Sequence, residues 1–264
     1  MVGTRTLASP PPMTPAESPG PLRTFGFGDL EQDTWLAGWF PAPGGAGALL
    51  VASGDAVQVR EAALSAGETG GEWRVRADGA ELVIAPTSPP AAVSSPEGEV
   101  AGYEQGAEIS GQLTAPSGDE LSLTLPGRRG ERPDVGELAG LDSVRELAAW
   151  FGPSEAIAVI ALRPRKHKGQ EQDSVQAAVV DPEAAVLIID PRLSTTSTAT
   201  GRASRVGLEL WTDDEEQPPL RVAGEALHRG ASVSAPGWEL TVDWLACHRR
   251  GRTGAGVYLL ARPV

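Results

Sequence analysis

Tyr103 and Glu104 stand side by side in the run Val100-Ala-Gly-Tyr-Glu-Gln105. A phenol and a carboxylate are the kind of pair that donates and accepts a proton in hydration or isomerisation. Adjacent residues of a strand point to opposite faces, so only one of them can face a given cavity. A barrel tyrosine beside a surface glutamate is the plain alternative. A second chemical signal is the segment Arg163-Pro-Arg-Lys-His-Lys-Gly-Gln-Glu-Gln-Asp173. Arg163, Arg165, Lys166, His167 and Lys168 crowd into one short loop of an otherwise acidic chain. Such a cluster can hold a carboxylate or phosphate on a ligand, although a solvated hairpin tip would carry the same residues. The third signal is seven tryptophans against two tyrosines. Trp35, Trp39, Trp150, Trp211 and Trp244 all fall in runs that read as strands. Indoles there can line an apolar pocket and orient a ligand through their N–H groups, or simply fill a small barrel.

Other chemistries leave no trace. There is no phosphate loop, no Rossmann glycine fingerprint, no paired Cys or His at ligand spacing and no Gly-x-Ser-x-Gly elbow. His167, His228 and His248 are scattered through turns. Asp213-Asp-Glu-Glu216 lacks the spacing of a calcium loop and reads as a solvated turn. No metal and no cofactor are therefore expected. The net charge of −13 repels phosphate backbones and anionic lipid, and solubility alone accounts for it. The single cysteine, Cys247, excludes an intrachain disulfide. It lies in the apolar run Trp244-Leu-Ala-Cys247 and reads as a small buried residue. No apolar run reaches the roughly 18 residues of a membrane-spanning helix, and the N-terminus lacks the apolar core of a signal peptide. A cytoplasmic location is the expectation.

These residues must be positioned by strands. Residues 1–22 carry repeated prolines with Ser, Thr and Gly, and read as a disordered tail; a partner-binding polyproline segment is the other reading. From there, short apolar or alternating runs recur every ~8–12 residues with turn signals between them, the pattern of an antiparallel all-β chain. Gly54-Asp55 and Asp78-Gly79 are hairpin signals. Leu121-Ser-Leu-Thr-Leu125, Leu208 with Leu210, and Leu240-Thr-Val-Asp-Trp244 alternate as half-buried strands do. Asp134 to Phe151 is the best candidate for a short bridging helix, since Val135, Leu138, Leu141, Val144 and Leu147 recur at roughly helical spacing, with Gly136 and Gly140 against it.

The chain repeats itself. Leu36-Ala-Gly-Trp-Phe40 and Leu147-Ala-Ala-Trp-Phe151 align at an offset of 111 (150 minus 39 for the tryptophans). Val100-Ala-Gly102 and Val222-Ala-Gly224 follow at 122, Gly118 to Leu123 and Gly237 to Val242 at 119, and Arg128-Arg-Gly130 and Arg249-Arg-Gly251 at 121. Four short matches in the same order predict two similar halves, 23–135 and 136–264, after the 1–22 tail.

Two tandem β halves, each opening on a Trp-containing strand, resemble the two-domain lipocalin-like proteins related to carotenoid 1,2-hydratase (hydroxyneurosporene synthase), with actinobacterial members of that group the nearest match. The resemblance is carried by Val100 to Gln105, Ser143-Val-Arg-Glu-Leu-Ala-Ala-Trp-Phe151, Ala161-Leu-Arg-Pro164, Arg192-Leu-Ser-Thr-Thr196, Gly207-Leu-Glu-Leu-Trp211, Arg221-Val-Ala-Gly-Glu225 and Gly251-Arg-Thr-Gly-Ala-Gly-Val-Tyr258. It covers most of 100–258 and matches the first 95 residues only loosely. It implies two barrels or open sheets with a ligand cavity in or between them, and cofactor-free hydration, isomerisation or cyclisation of isoprenoid or polyketide-like molecules. The group carries a His-Asp pair after the Arg-Pro loop. Here glutamine and glutamate stand in that place, so no catalytic residue transfers and the analogy is one of fold.

The sequence thus points to an all-β chain of two lipocalin-like antiparallel halves that handles a small hydrophobic molecule in an aromatic-lined cavity. The site would be Tyr103 and Glu104 for proton transfer, with Trp35, Trp39, Trp150, Arg163, His167, Trp211 and Trp244 around the ligand. A non-catalytic carrier, or a structural protein whose cavity is filled by side chains, fits the same residues. Nucleic acid and a membrane span are not expected partners, and no oligomeric state is indicated.

Overall fold

The computed structural model describes residues 21–41, 46–67, 71–94, 100–132, 140–152, 154–165, 173–181, 186, 188–212, 218–235 and 237–264. Among the described residues every regular element longer than a turn is a strand. The first half contributes β1 (Leu22–Asp29), β2 (Thr34–Phe40), β3 (Ala46–Ser53), β4 (Ala56–Ala66), β5 (Trp73–Ala77), β6 (Ala80–Pro86), β7 (Ala91–Ser94), β8 (Val100–Thr114) and β9 (Glu120–Arg132). The second contributes β10 (Leu141–Trp150), β11 (Ala156–Pro164), β12 (Ser174–Val180), β13 (Ile188–Ser197), β14 (Ala203–Thr212), β15 (Leu220–Ala235), β16 (Trp238–Arg249) and β17 (Arg252–Pro263). The hairpin signals at Gly54-Asp55 and Asp78-Gly79 join β3 to β4 and β5 to β6. The tail residues 1–20 lie outside the described residues, as do Asp213 to Glu216, and β1 begins at Leu22.

Antiparallel pairing runs β1-β2-β3-β4-β5-β6-β8-β9 and back to β1, an eight-stranded ring. The second ring runs from β10 through β17 and back to β10, with β12 and β13 adjacent. Two closed or nearly closed lipocalin-like barrels result. Strand β7 belongs to both, pairing with β8 and, at Ser94 opposite Ala177, with β12.

The sequence repeat acquires a strand-level meaning. Its matches set β2 against β10, β8 against β15 and β9 against β16, and the turns before β9 and β16 both use a glycine with positive φ, Gly118 (94°) and Gly237 (77°). The remaining strand of the first ring is then β1, the chain's first, and that of the second ring is β17, the chain's last. The two glycine-bearing strands face each other: a Cβ on Gly26 would come within 2.7 Å of Val257 Cγ1.

Three apolar cores follow from strand alternation. Phe25, Phe27, Leu36, Phe40, Trp73 and Ile84 fill the first barrel, and Leu147, Ile157, Val159, Leu208, Leu245 and Tyr258 fill the second. The third core joins the barrels' outer faces, with Trp35, Trp39, Leu50, Ile160, Trp238 and Trp244. Strands that serve a barrel and this seam are buried on both faces, so β2 is buried along its whole length while β5, with one solvated face, alternates.

That double burial corrects the helix expected over 134–151. Residues 141–150 are strand β10. Val144, Ala148 and Trp150 enter the seam while Leu147 and Ala149 enter the second barrel. Apolar residues demanded on both faces of a strand imitate helical spacing. Residues 134–139 lie outside the described residues.

Candidate functional site

The chemistry concentrates where β8, β9 and β1 of the first barrel meet β10 of the second. On β9, Arg128 and Arg132 point out of the first barrel, and on β8 so does Glu104. All three are buried, Glu104 completely. Arg128 Nη1 donates to Thr24 Oγ1 at 2.8 Å and to Glu104 Oε2 at 3.4 Å. Its Nη2 donates to Glu146 Oε1, on β10 of the other barrel. Thr24 Oγ1 donates to the same Glu146 oxygen at 2.9 Å, and Arg132 Nη2 donates to Glu104 Oε1. Two carboxylates and two guanidiniums thus cancel each other's charge across the seam. Burial pushes the Arg128 guanidinium below its ordinary value, opposed by the charge of Glu104. Gly130 makes room for the cluster: a Cβ there would lie 2.2 Å from Glu104 Oε1.

Beside the cluster the seam is lined with indoles. Trp35, Trp39 and Trp244 have no solvent exposure and Trp150 only 2%. Trp150 Nε1 donates to the Gly28 carbonyl of the other barrel at 3.0 Å. Trp39 meets Trp238 edge-on with ring centroids 5.5 Å apart. Removing roughly 200 Å² per indole from water, at about 25 cal/mol/Å², is worth up to ~5 kcal/mol each. A buried ion network nets close to nothing over an apolar replacement. The indoles therefore hold the barrels together, and the charges fix how they sit.

Five buried N–H donors of this region have no acceptor among the described residues: Nε1 of Trp35, Trp39 and Trp244, and Nε of Arg128 and Arg132. Buried donors are nearly always satisfied, and each unmet one costs about 1–3 kcal/mol. Such donors in an apolar seam can hold the oxygens of a bound molecule.

Of the residues singled out from the sequence, the seam gathers Trp35, Trp39, Trp150, Trp244 and Glu104. Tyr103 packs with the core inside the first barrel, so it and Glu104 sit on opposite faces of β8. Burial, reinforced by the Glu131 carboxylate, pushes its phenol above the ordinary value. Trp211 lies on the second barrel, away from the seam, with the Arg192 guanidinium 5.9 Å from its ring centroid. Arg163 is at the end of β11, held at 2.9 Å by Asp173, which also pairs with Arg145. Burial alone would raise the Asp173 carboxyl, but the Arg163 hydrogen bond and the Arg145 charge bring it below its usual value. His167 lies outside the described residues. Thr24, Arg128, Arg132 and Glu146 were missed. The available signal was ionic residues inside strands that have no solvated face, Glu146 within Leu141–Trp150 above all.

Among the described residues no group of three His, Cys, Asp or Glu side chains could hold a metal ion. No helix among them is long and apolar enough to cross a membrane.

No family model matches this sequence, and no curated protein matches it. Solved structures do. CghA, crystallised with Sch210972, is 14% identical over 93% of this chain and 89% of its own, with a TM-score of 0.64. A Nitrosomonas europaea protein proposed to be an AttH is 11% identical over 97% and 98%, TM-score 0.63. Kievitone hydratase from Nectria haematococca is 10% identical over 93% and 89%, TM-score 0.53. At these identities the likeness is one of fold: the chain shares the two-barrel lipocalin-like architecture of these proteins along nearly its whole length.

Proposed function

We propose that the protein binds a small, oxygen-bearing hydrophobic molecule, isoprenoid- or polyketide-like, in the seam between its barrels, and turns it over by hydration, isomerisation or cyclisation without a cofactor. The observation that carries this reading is the set of five unpartnered buried donors on an indole-lined surface beside Glu104. Indoles supply the apolar contact. Their N–H groups and the arginine Nε atoms supply hydrogen bonds that orient and polarise a carbonyl or hydroxyl, which is the preorganised electrostatic contribution catalysis needs. Glu104 is the candidate proton carrier. The kinship with relatives of carotenoid 1,2-hydratase belongs to this proposal.

A second reading, a non-catalytic carrier, is favoured by one observation: Glu104 is already engaged by both Arg128 and Arg132. Titration with a panel of terpenoid alcohols and polyketide-like ketones, followed by tryptophan fluorescence and product analysis, separates the two. Quenching is expected, with affinity falling about tenfold when Trp39 and Trp244 are both changed to Phe, as the loss of two hydrogen bonds implies. Turnover abolished in Glu104→Gln with binding retained supports the enzyme; binding without turnover supports the carrier. Silence across the panel would sink both.

A further inference from the structure

The residue next to Arg128 looks the other way. Arg129 points into the first barrel and is completely buried. Its Nε and Nη2 donate to Gln105 Oε1 at 3.0 and 2.7 Å, and its Nη1 donates to the Gly71 carbonyl at 2.7 Å and, weakly, to that of Ile84 at 3.5 Å. Its guanidinium lies 4.8 Å from the Trp73 ring centroid. Every acceptor in reach is neutral, and among the described residues Arg129 forms no ion pair. A guanidinium has five N–H groups, so one on Nη2 is left over.

The register of β1, β8 and β9 places this cation in the barrel. Glu131 lies opposite both Arg23 and Tyr103, forming a rim, while Arg129 lies opposite both Phe25 and Gln105, one layer further in. At the rim Arg23 Nε pairs with Glu131 Oε2 at 2.6 Å, both side chains about one-fifth exposed, and Tyr103 is half-buried. The Arg23–Glu131 pair is neutral, so among the described residues this end of the barrel carries the Arg129 charge in excess. A lone buried cation is among the most expensive things a fold can keep. Inside the second barrel the buried carboxylate of Asp243 is by contrast met by Arg202 and the Ala203 N–H. Gln105 is fixed as an acceptor, because its Nε2 donates to the Ser88 carbonyl at 2.7 Å.

We propose that this end of the first barrel is a second binding site, for a monocarboxylate with an apolar body. The carboxylate takes Arg129, and the body lies against Trp73 and Tyr103. One excess positive charge calls for one negative charge, and the neighbouring Glu131 disfavours a dianion such as phosphate. The site is separate from the seam and does not depend on what the seam binds.

The test uses the full chain with octanoate and, as its uncharged analogue, 1-octanol, by calorimetry and thermal unfolding. Octanoate should raise Tm and bind at least about tenfold more tightly than octanol. Gln105→Glu supplies the missing counter-ion from within, at the atom that already accepts from Nε and Nη2. Because it also turns the Nε2 donor to the Ser88 carbonyl into an acceptor, its reading is octanoate affinity rather than Tm in buffer, and it should weaken octanoate about tenfold or more. Arg129→Gln should lose the octanoate response as well; if it does not fold, Gln105→Glu carries the test. Octanoate binding no better than octanol overturns the proposal. So does octanoate binding that persists in Gln105→Glu, or that is lost only when seam tryptophans are replaced.

Discussion

Arg128 and Arg129 are consecutive residues of one strand, equally buried, and they live in opposite electrostatic worlds. Outside the first barrel Arg128 meets two carboxylates, one from each barrel, and helps set how the halves dock. Inside it Arg129 meets only amide and carbonyl oxygens. A charge that is cancelled within the chain reads as architecture, whereas one left uncancelled at equal burial calls for something from outside.

The largest effect should come from making the outer face resemble the inner one. Glu104→Ala strips Arg128 of one partner and Arg132 of its carboxylate, and should cost about 3–5 kcal/mol of unfolding free energy in denaturant titration. A loss below about 1 kcal/mol would mean that the outer charges are not truly paired. Gly130→Ala pushes a methyl into the Glu104 carboxylate and should cost about 1–3 kcal/mol. In the Glu104→Ala background that cost should largely vanish, because the obstacle has gone, and a double-mutant cycle reads the coupling. Trp150→Phe keeps one aromatic ring but removes the bond to the Gly28 carbonyl and leaves a small cavity, for a loss of about 2 kcal/mol. The smallest effect concerns a neutral buried group. Burial pushes the Cys247 thiol from 9.0 up to about 12. The unfolded thiol ionises near 9 and the native one does not, so this residue leaves stability unchanged below pH 9 and lowers it progressively above. Thiol-reagent labelling at pH 8 should track global unfolding, and fast labelling of the native protein would show that the second barrel opens there.

The barrels were legible because their solvated strands alternate and their turns carry Gly and Asp. Leu121 to Leu125 and Asp78-Gly79 are read directly from those rules. What was illegible lies on strands with no solvated face. In Leu141–Trp150 the demands of seam and barrel interior are superimposed, which removed the period of two and imitated a helix. The indoles at 35, 39, 150 and 244 were visible as a set, but whether an indole faces a barrel's inside or its neighbour depends on parity within a ring, and closure through β1 and β17 is a long-range fact. The charge cluster was hidden for the same reason. Thr24, Glu104, Arg128 and Glu146 are far apart in sequence, and nothing local to Glu146 announces that its partner is on another barrel.

The seam has a further consequence for how the chain is made. The first barrel is complete at Arg132, and Ala261, the last residue of the seam's core, comes 129 residues later (261 minus 132). At about 5–20 residues per second, synthesis of the rest takes on the order of ten seconds. Until the second barrel forms, Trp35 and Trp39 lie bare. Because the two faces of the seam are built from corresponding strands, a first barrel on a neighbouring ribosome presents an apolar face of the same kind to a waiting one. The same match that seats the halves in the finished protein makes crowded translation its most exposed moment.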